Sequence, residues 1–286
     1  MLSHAKINLT LEVLYRRFDG FHQLETVMQE LRLADVLYLE DLPGERIELT
    51  CDHPLLPADE RNLAYRAAEC FQSRYAPGRG VKIRLNKKIP LSAGLGGGSS
   101  NAAAVLKGLQ VLWNISLKEE SLLEMAGRLG SDVPFFLYGG TALATGRGEL
   151  VRPLAPFPPV KVLLVSPADF MLSTGRVYNA LVLDKMADKD KTKKFVRILE
   201  KERETCLLPR LLDLLTNDLE TAAFSLKKEI KFLKEQLQRF GLTALLSGSG
   251  PTVFALSTEK DRLEQICKEL AARGYNAILT ETKGPS

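Results

Sequence analysis

The stretch Pro90–Ala102, PLSAGLGGGSSNA, limits what this chain can fold into more than any other. Gly94, Gly96, Gly97 and Gly98 crowd together, and each ordered glycine costs conformational entropy. Such a cluster marks a place where backbone approaches something closely. Its flanks exclude a loose linker. Before it, Val81, Ile83 and Leu85 alternate with Lys82 and Arg84, the period of a half-buried strand. After it, Ala102, Val105, Leu106, Leu109 and Leu112 fall on one helical stripe, with Ser99, Ser100 or Asn101 as the predicted N-cap. The unit reads strand, glycine loop, helix. A helix N-terminus presents free N–H groups and partial positive charge, and glycines let a phosphate reach them.

The loop matches neither common phosphate fingerprint. A P-loop requires Lys and Ser/Thr straight after its last glycine, whereas Ser99, Ser100 and Asn101 follow Gly98. The dinucleotide pattern Gly-x-Gly-x-x-Gly is met by Gly94 and Gly96 but has Ser99 in the third place. A net charge of +4 suits an anionic small-molecule substrate and falls short of a nucleic-acid binder, so no nucleic-acid partner is expected. Cys51, Cys70, Cys206 and Cys267 are scattered without a C-x-x-C pair, which argues for reduced thiols and against zinc or disulfides. No apolar run approaches the length of a membrane span and no signal-peptide pattern opens the chain, so a cytoplasmic protein without a membrane partner is expected.

At 286 residues the chain has room for two domains, each with its own core. Residues 6–14, 27–40 and 46–51 read as strands, and 60–75 as an amphipathic helix through Leu63, Ala67, Ala68 and Phe71. Pro153–Pro159, PLAPFPP, is the best domain boundary, which predicts domains over 1–155 and 156–286. Beyond it lie an apolar strand, Val160–Val165, several helices, strands at Leu242–Leu246 and Val253–Leu256 around a second glycine turn, a helix over 259–273 and a strand over 276–282. The second half is therefore an expected α+β sandwich. Asp184–Glu204 carries 14 charged residues of 21 with mixed signs, which predicts a solvated helix or mobile insertion without chemistry of its own.

Three further segments carry candidate chemistry. In AKINLTLEV, Ile7, Leu9, Leu11 and Val13 share one face of a strand; Lys6, Asn8, Thr10 and Glu12 share the other. Periodicity alone predicts that this polar side faces water; the alternative is that Lys6 and Asn8 line a cleft. In LGSDVPFF, Asp132 precedes Pro134 at a helix start, either as a simple cap or as a carboxylate held beside the phosphate site. The turn Ser247–Pro251 reads as a hairpin that also presents N–H groups, with Gly248 and Ser249 as candidates for substrate contact.

Together AKINLTLEV, PLSAGLGGGSSNAA, SDVPFF and LLSGSGPTVFA, in this order and spacing, resemble the GHMP kinase superfamily. Arg16–Leu31, RRFDGFHQLETVMQEL, narrows the likeness to members that act on a cytidine diphosphate-linked alcohol of isoprenoid precursor synthesis. The resemblance runs over nearly the whole chain and is weakest in Asp184–Glu204. It implies an α+β, two-domain fold, with a ribosomal-protein-S5-like ATP-binding domain, a ferredoxin-like substrate-binding domain and the active site in the cleft between them. It implies ATP and Mg2+ as cofactors and Lys6 with Asp132 as the catalytic pair. The loop residues Pro90, Ala93, Gly94, Leu95, Gly96, Gly97, Gly98, Ser99, Ser100 and Asn101 would wrap the ATP phosphates, with Ser99 a candidate metal ligand. Asn62, Leu63 and Lys87 would contact adenine. Asn8 and Thr174 would orient the acceptor alcohol, and Phe21, His22 and Tyr178 would hold cytosine. Phe21 stands where the family often has tyrosine, which keeps stacking and loses a hydroxyl. Related homoserine or mevalonate kinases would share the loop but not Arg16–His22. A non-catalytic S5-like binding module would have no need of Lys6 with Asp132.

Overall fold

The computed structural model describes residues 1–168, 171–183, 189–201 and 207–284. By contacts the chain forms two compact units, neither one continuous stretch. The first comprises Met1–Ala5, Leu33–Pro90 and Gly96–Gly139; the second comprises Lys6–Arg32, Leu91–Leu95 and Gly140–Ser286. Strands β1 (Leu2–Arg16) and β2 (His22–Leu42) each run from one unit into the other.

In the first unit, β3 (Ile47–Cys51) is followed by α1 (Leu63–Tyr75), β4 (Gly80–Asn86), α2 (Gly97–Trp113), α3 (Glu119–Leu129) and α4 (Val133–Tyr138). Strand β4 pairs parallel with β3 and antiparallel with the C-terminal half of β2. Helix α1 starts where the Asn62 side chain accepts a hydrogen bond from Ala64 N at 3.0 Å, and it buries Ala64, Ala67, Ala68 and Phe71. Helix α2 begins earlier than the serines predicted. Its N-cap is Gly96, left-handed at φ 71°, with no side-chain cap bond. A residue in that conformation costs glycine nothing and any β-carbon a penalty, so the chain enters the helix on the glycine and not on Ser99, Ser100 or Asn101. Those three lie inside the first turns, and Ser100 and Asn101 are buried. The helix also lies tightly on its unit: a β-carbon on Gly108 would stand 2.2 Å from Leu39 Cδ1.

The second unit continues with β5 (Thr141–Gly146), β6 (Leu150–Pro153), β7 (Lys161–Pro167), α5 (Thr174–Ala180), α6 (Lys191–Lys201), α7 (Leu207–Leu212), β8 (Thr216–Asn217), α8 (Glu220–Leu226), α9 (Lys228–Arg239), β9 (Thr243–Leu246), β10 (Val253–Ser257), α10 (Lys260–Ala272) and β11 (Tyr275–Glu281). The N-terminal half of β2 pairs antiparallel with β5, and β1 pairs parallel with β8. A separate antiparallel sheet has the order β11–β7–β10–β9. Ile230, Leu233 and Leu237 of α9 and Leu263, Ile266 and Leu270 of α10 recur at helical spacing and join Leu163, Val165, Val253 and Ala255 of this sheet in one core. That is the α+β layering expected of the second half.

The polar side of β1 does not face water. Lys6, Asn8, Thr10 and Glu12 are all buried, Lys6 being 3% exposed. Both faces of the strand are covered, so its alternation separates an apolar interior from a polar one, and the buried polar groups are paired as burial demands. Glu12 accepts from Thr192 N at 2.9 Å at the start of α6, and the Thr192 hydroxyl donates to Thr10 Oγ1 at 3.0 Å. Helix α6 buries Thr192, Phe195 and Leu199, so this part of the charged segment is packed on one face and not solvated all round. Residues 184–188 and 202–204 of that segment, and Cys206, lie outside the described residues; Cys51, Cys70 and Cys267 are free thiols. Among the described residues no helix is long and apolar enough to cross a membrane.

Candidate active site

In the first unit the N-terminus of α2 stands uncapped by any side chain, and Gly97 and Gly98 put no side chain over its first turn. An anion can therefore meet its free N–H groups. A β-carbon on Gly98 would stand 3.6 Å from Leu63 Cδ1, and one on Gly130 would stand 3.9 Å from Ser99 Oγ. The structure thus brings Leu63, Gly98, Ser99 and the turn before Asp132 into one neighbourhood. Asp132 occupies the N-cap position of α4 and makes no side-chain cap bond. Asn62 is engaged at both ends of its amide, through Ala64 N and through Pro57 O at 2.9 Å.

One carboxylate beneath this loop was missed from sequence. Asp35 is fully buried and accepts hydrogen bonds from Lys87 Nζ, Lys88 N at 2.7 Å, Ile89 N at 2.8 Å and Asn101 Nδ2 at 2.9 Å. Lys87 turns its ammonium inward, paired with Asp35 and 3.2 Å from Asn101 Oδ1. Ser100 accepts from Ser3 Oγ at 2.7 Å, and Asn101 Nδ2 also reaches Ser3 Oγ at 2.8 Å. The signal was a charge inside the apolar run Leu33–Leu39, LADVLYL, where an unpaired carboxylate is not tolerated.

The second unit gathers Lys6, Asn8 and the second glycine turn. Lys6 Nζ donates to Asn8 Oδ1 at 2.6 Å, and Asn8 Nδ2 donates to Thr26 Oγ1 at 2.8 Å. The Lys6 backbone N–H donates to Leu95 O at 3.0 Å, which fastens the end of the first glycine segment to β1. A β-carbon on Gly248, left-handed at φ 55°, would lie 3.3 Å from Asn8 Oδ1 and 3.6 Å from Lys6 Nζ. One on Gly94 would lie 2.2 Å from Ser247 O, and Ser247 Oγ donates to Gly94 O at 2.9 Å. The two glycine turns pack backbone against backbone, the close approach that their composition allows. Strands β9 and β10 pair on either side of the second turn, so it is a hairpin as well. Ala93 is buried, Pro90 half-buried.

Thr174, at the first turn of α5, shares a 2.9 Å hydrogen bond with Ser249. Asn217 was also missed from sequence. Its Nδ2 donates to Leu246 O and Gly248 O, both at 2.8 Å, and its Oδ1 accepts from Leu219 N, so it braces the turn. His22 stacks on Tyr178, with ring centroids 5.2 Å apart and planes at 28°. Tyr178 also packs against the core of this unit. Phe21 is half exposed, with the Arg147 guanidinium 4.8 Å from its ring centroid. Burial, and then the charge of Arg16, holds the His22 imidazole below its ordinary pKa.

The residues expected around the nucleotide fall in the first unit, apart from Ala93, Gly94 and Leu95. Those expected around the acceptor all fall in the second. A glycine-flanked helix N-terminus open to an anion suits a small-molecule phosphotransferase. The chain belongs to the GHMP kinase family: the family's N-terminal domain model matches residues 62–140 and its C-terminal model residues 205–276. A 4-diphosphocytidyl-2-C-methyl-D-erythritol kinase of Shouchella clausii (strain KSM-K16) is 43% identical over 272 residues, covering 95% of this chain and 89% of that protein. A solved 4-(cytidine 5'-diphospho)-2C-methyl-D-erythritol kinase is 36% identical, with a TM-score of 0.80 over 99% of each chain. A homoserine kinase from Cytophaga hutchinsonii, at 23% identity and TM-score 0.67 over 99% of this chain and 95% of that one, shares the fold alone.

Proposed function

We infer that this protein is an ATP-dependent kinase that phosphorylates the 2-hydroxyl of 4-diphosphocytidyl-2-C-methyl-D-erythritol, a step in non-mevalonate isoprenoid precursor synthesis. The observation that carries the reading is the stack of His22, from the Arg16–Leu31 region, on Tyr178 of α5, an aromatic surface suited to a pyrimidine, in a chain this close to kinases of that name. The family segments 62–140 and 205–276 leave residues 141–204 between them, the range in which the proposed boundary at 155 and 156 lies. An enzyme drawing on ATP and a nucleotide-linked intermediate belongs with the cytoplasmic pools of both.

Phosphoryl transfer needs positioning and charge neutralisation more than covalent work from the protein. In the proposed reaction the acceptor hydroxyl oxygen forms a bond to the γ-phosphorus as the bond to the β–γ bridging oxygen breaks. The hydroxyl proton passes to Asp132 and ADP leaves. Lys6, held by Asn8, stabilises charge on the transferring group. The N–H groups at the start of α2 hold the nucleotide phosphates, and Leu63 packs on the adenine side. Gly248 and Ser249 offer backbone N–H groups, and Thr174 with Asn8 orients the acceptor. Among the described residues no three His, Cys, Asp or Glu side chains form a metal cage. That fits magnesium, which keeps its waters and is carried largely on phosphate oxygens. Ser99 is the hydroxyl that would hold it, and the ion would supply charge neutralisation on the phosphates.

The test is a phosphorylation assay with ATP against cytidine diphosphate methylerythritol, its uridine counterpart, mevalonate and homoserine. Transfer to the cytidylyl alcohol alone is the expected outcome; preferential transfer to homoserine or mevalonate, or none at all, refutes the reading.

A further inference from the structure

We propose that Asp35 is a positioning residue for nucleotide binding, acting as a clasp that holds the two ends of the glycine loop together. The inference rests on the kinase reading above. The Asp35 carboxylate binds Lys88 N and Ile89 N, where the chain leaves β4 and enters the loop, and it binds Asn101 Nδ2 in α2, where the chain leaves the loop. Lys87 closes the ring by donating to both Asp35 and Asn101. Between these points lies a run of glycines that has little conformational preference of its own. Its middle is tied by Gly94 O to Ser247 Oγ and by Leu95 O to Lys6 N, and Asp35 supplies the ties at its two ends.

The clasp is built and not incidental. The Asp35 side chain is fully buried and that of Lys87 is 5% exposed. A buried ion pair contributes little net stability compared with apolar residues of similar volume, which suits a role in holding an arrangement. Among the described residues, the four donors to Asp35 come from the two ends of the loop. A β-carbon on Gly97 would stand 3.3 Å from Lys87 Nζ, so the clasp also abuts the first residue of α2, whose N–H groups would meet the phosphates. Lys87 thereby serves the nucleotide through the loop.

In Asp35→Asn the remaining oxygen still serves Lys88 and Ile89, while the new amide opposes the donors of Lys87 and Asn101. Asn101→Ala frees only the α2 end and leaves the ion pair intact. Each variant is measured for kcat, for KM toward ATP and toward the cytidylyl acceptor, and for amide hydrogen exchange over Gly96–Ser100 without nucleotide. The expected result is faster exchange in the loop and an ATP KM raised about 10- to 100-fold, with the acceptor KM within about twofold of wild type. A folded variant with unchanged loop exchange, or with both KM values unchanged and only a lower Tm, overturns the proposal. Should Asp35→Asn fail to fold, Asn101→Ala decides the matter by the same two readouts. The exchange comparison needs no substrate, so it judges the clasp even where the wild type phosphorylates none of the acceptors, a failure that would strike the functional reading instead.

Discussion

His22 lies stacked on the ring of Tyr178, their centroids 5.2 Å apart and their planes inclined by 28°. The two residues are far apart in sequence, and the contact makes one aromatic surface from the start of β2 and the short helix α5. If that surface receives the pyrimidine, Tyr178→Ala raises the KM for the cytidylyl acceptor about 10- to 100-fold, the loss of one base–aromatic stack. The ATP KM stays put. Because Tyr178 also touches the core, Tm is measured on the same variant. A lower Tm with unchanged cytidine-over-uridine discrimination would remove Tyr178 from the site.

The His22 imidazole has a definite pH behaviour. Burial, followed by the charge of Arg16, lowers its pKa below the ordinary 6.5, so the unfolded chain takes up this proton at a higher pH than the folded one. Its contribution to stability is complete above 6.5 and is lost as the pH falls from there through the folded value. An NMR titration should place the His22 midpoint below 6.5, and His22→Gln should flatten the stability profile in that window. A midpoint above 6.5 contradicts the environment described.

Asp132→Asn keeps the shape of the residue and loses no cap, since the side chain makes none. Tm should be unchanged while kcat falls about 10²- to 10⁴-fold, the range for loss of a general base. Near-normal turnover would leave Asp132 without a role in proton transfer.

Lys6→Met should reduce kcat on the order of 10²-fold or more through lost electrostatic stabilisation. It also leaves Asn8 Oδ1 without the donor now 2.6 Å away, so acceptor KM should rise as Asn8 loosens. Steady-state kinetics with both substrates varied separates the two effects; an unchanged kcat counts against Lys6.

Gly94→Ala places a β-carbon 2.2 Å from a backbone oxygen of Ser247, which cannot swing aside as a side chain would. The φ of 73° adds strain of roughly 1–2 kcal/mol for any residue with a β-carbon. The glycine turns must separate, and both Tm and ATP affinity should drop. Thermal unfolding with a nucleotide titration checks this, and a variant that matches wild type in both would show that the turns do not depend on their close approach.

The local order of elements was legible in the chain itself. Alternation at Val81–Leu85 and the stripe from Ala102 to Leu112 fixed a strand and a helix around the glycines, because those periods follow from backbone geometry. Lys6, Asn8, Asp132 and Gly248 stand out only through the family resemblance of their motifs, since alternation, capping and a hairpin turn account for them equally well on local grounds. What lay beyond local pattern was burial and partnership. Lys6 and Glu12 alternate with apolar residues as a solvent-facing side would, and only a second covered face shows that they are interior. The start of α2 at Gly96 depends on a left-handed turn that the serines' capping preference could not reveal. Asp35 takes its meaning from Lys87 and Asn101, and Asn217 from the turn at Gly248, partners tens of residues away. Period and composition act through neighbours along the chain, whereas hydrogen bonds and desolvation act through space, so only the folded chain decides which polar groups meet.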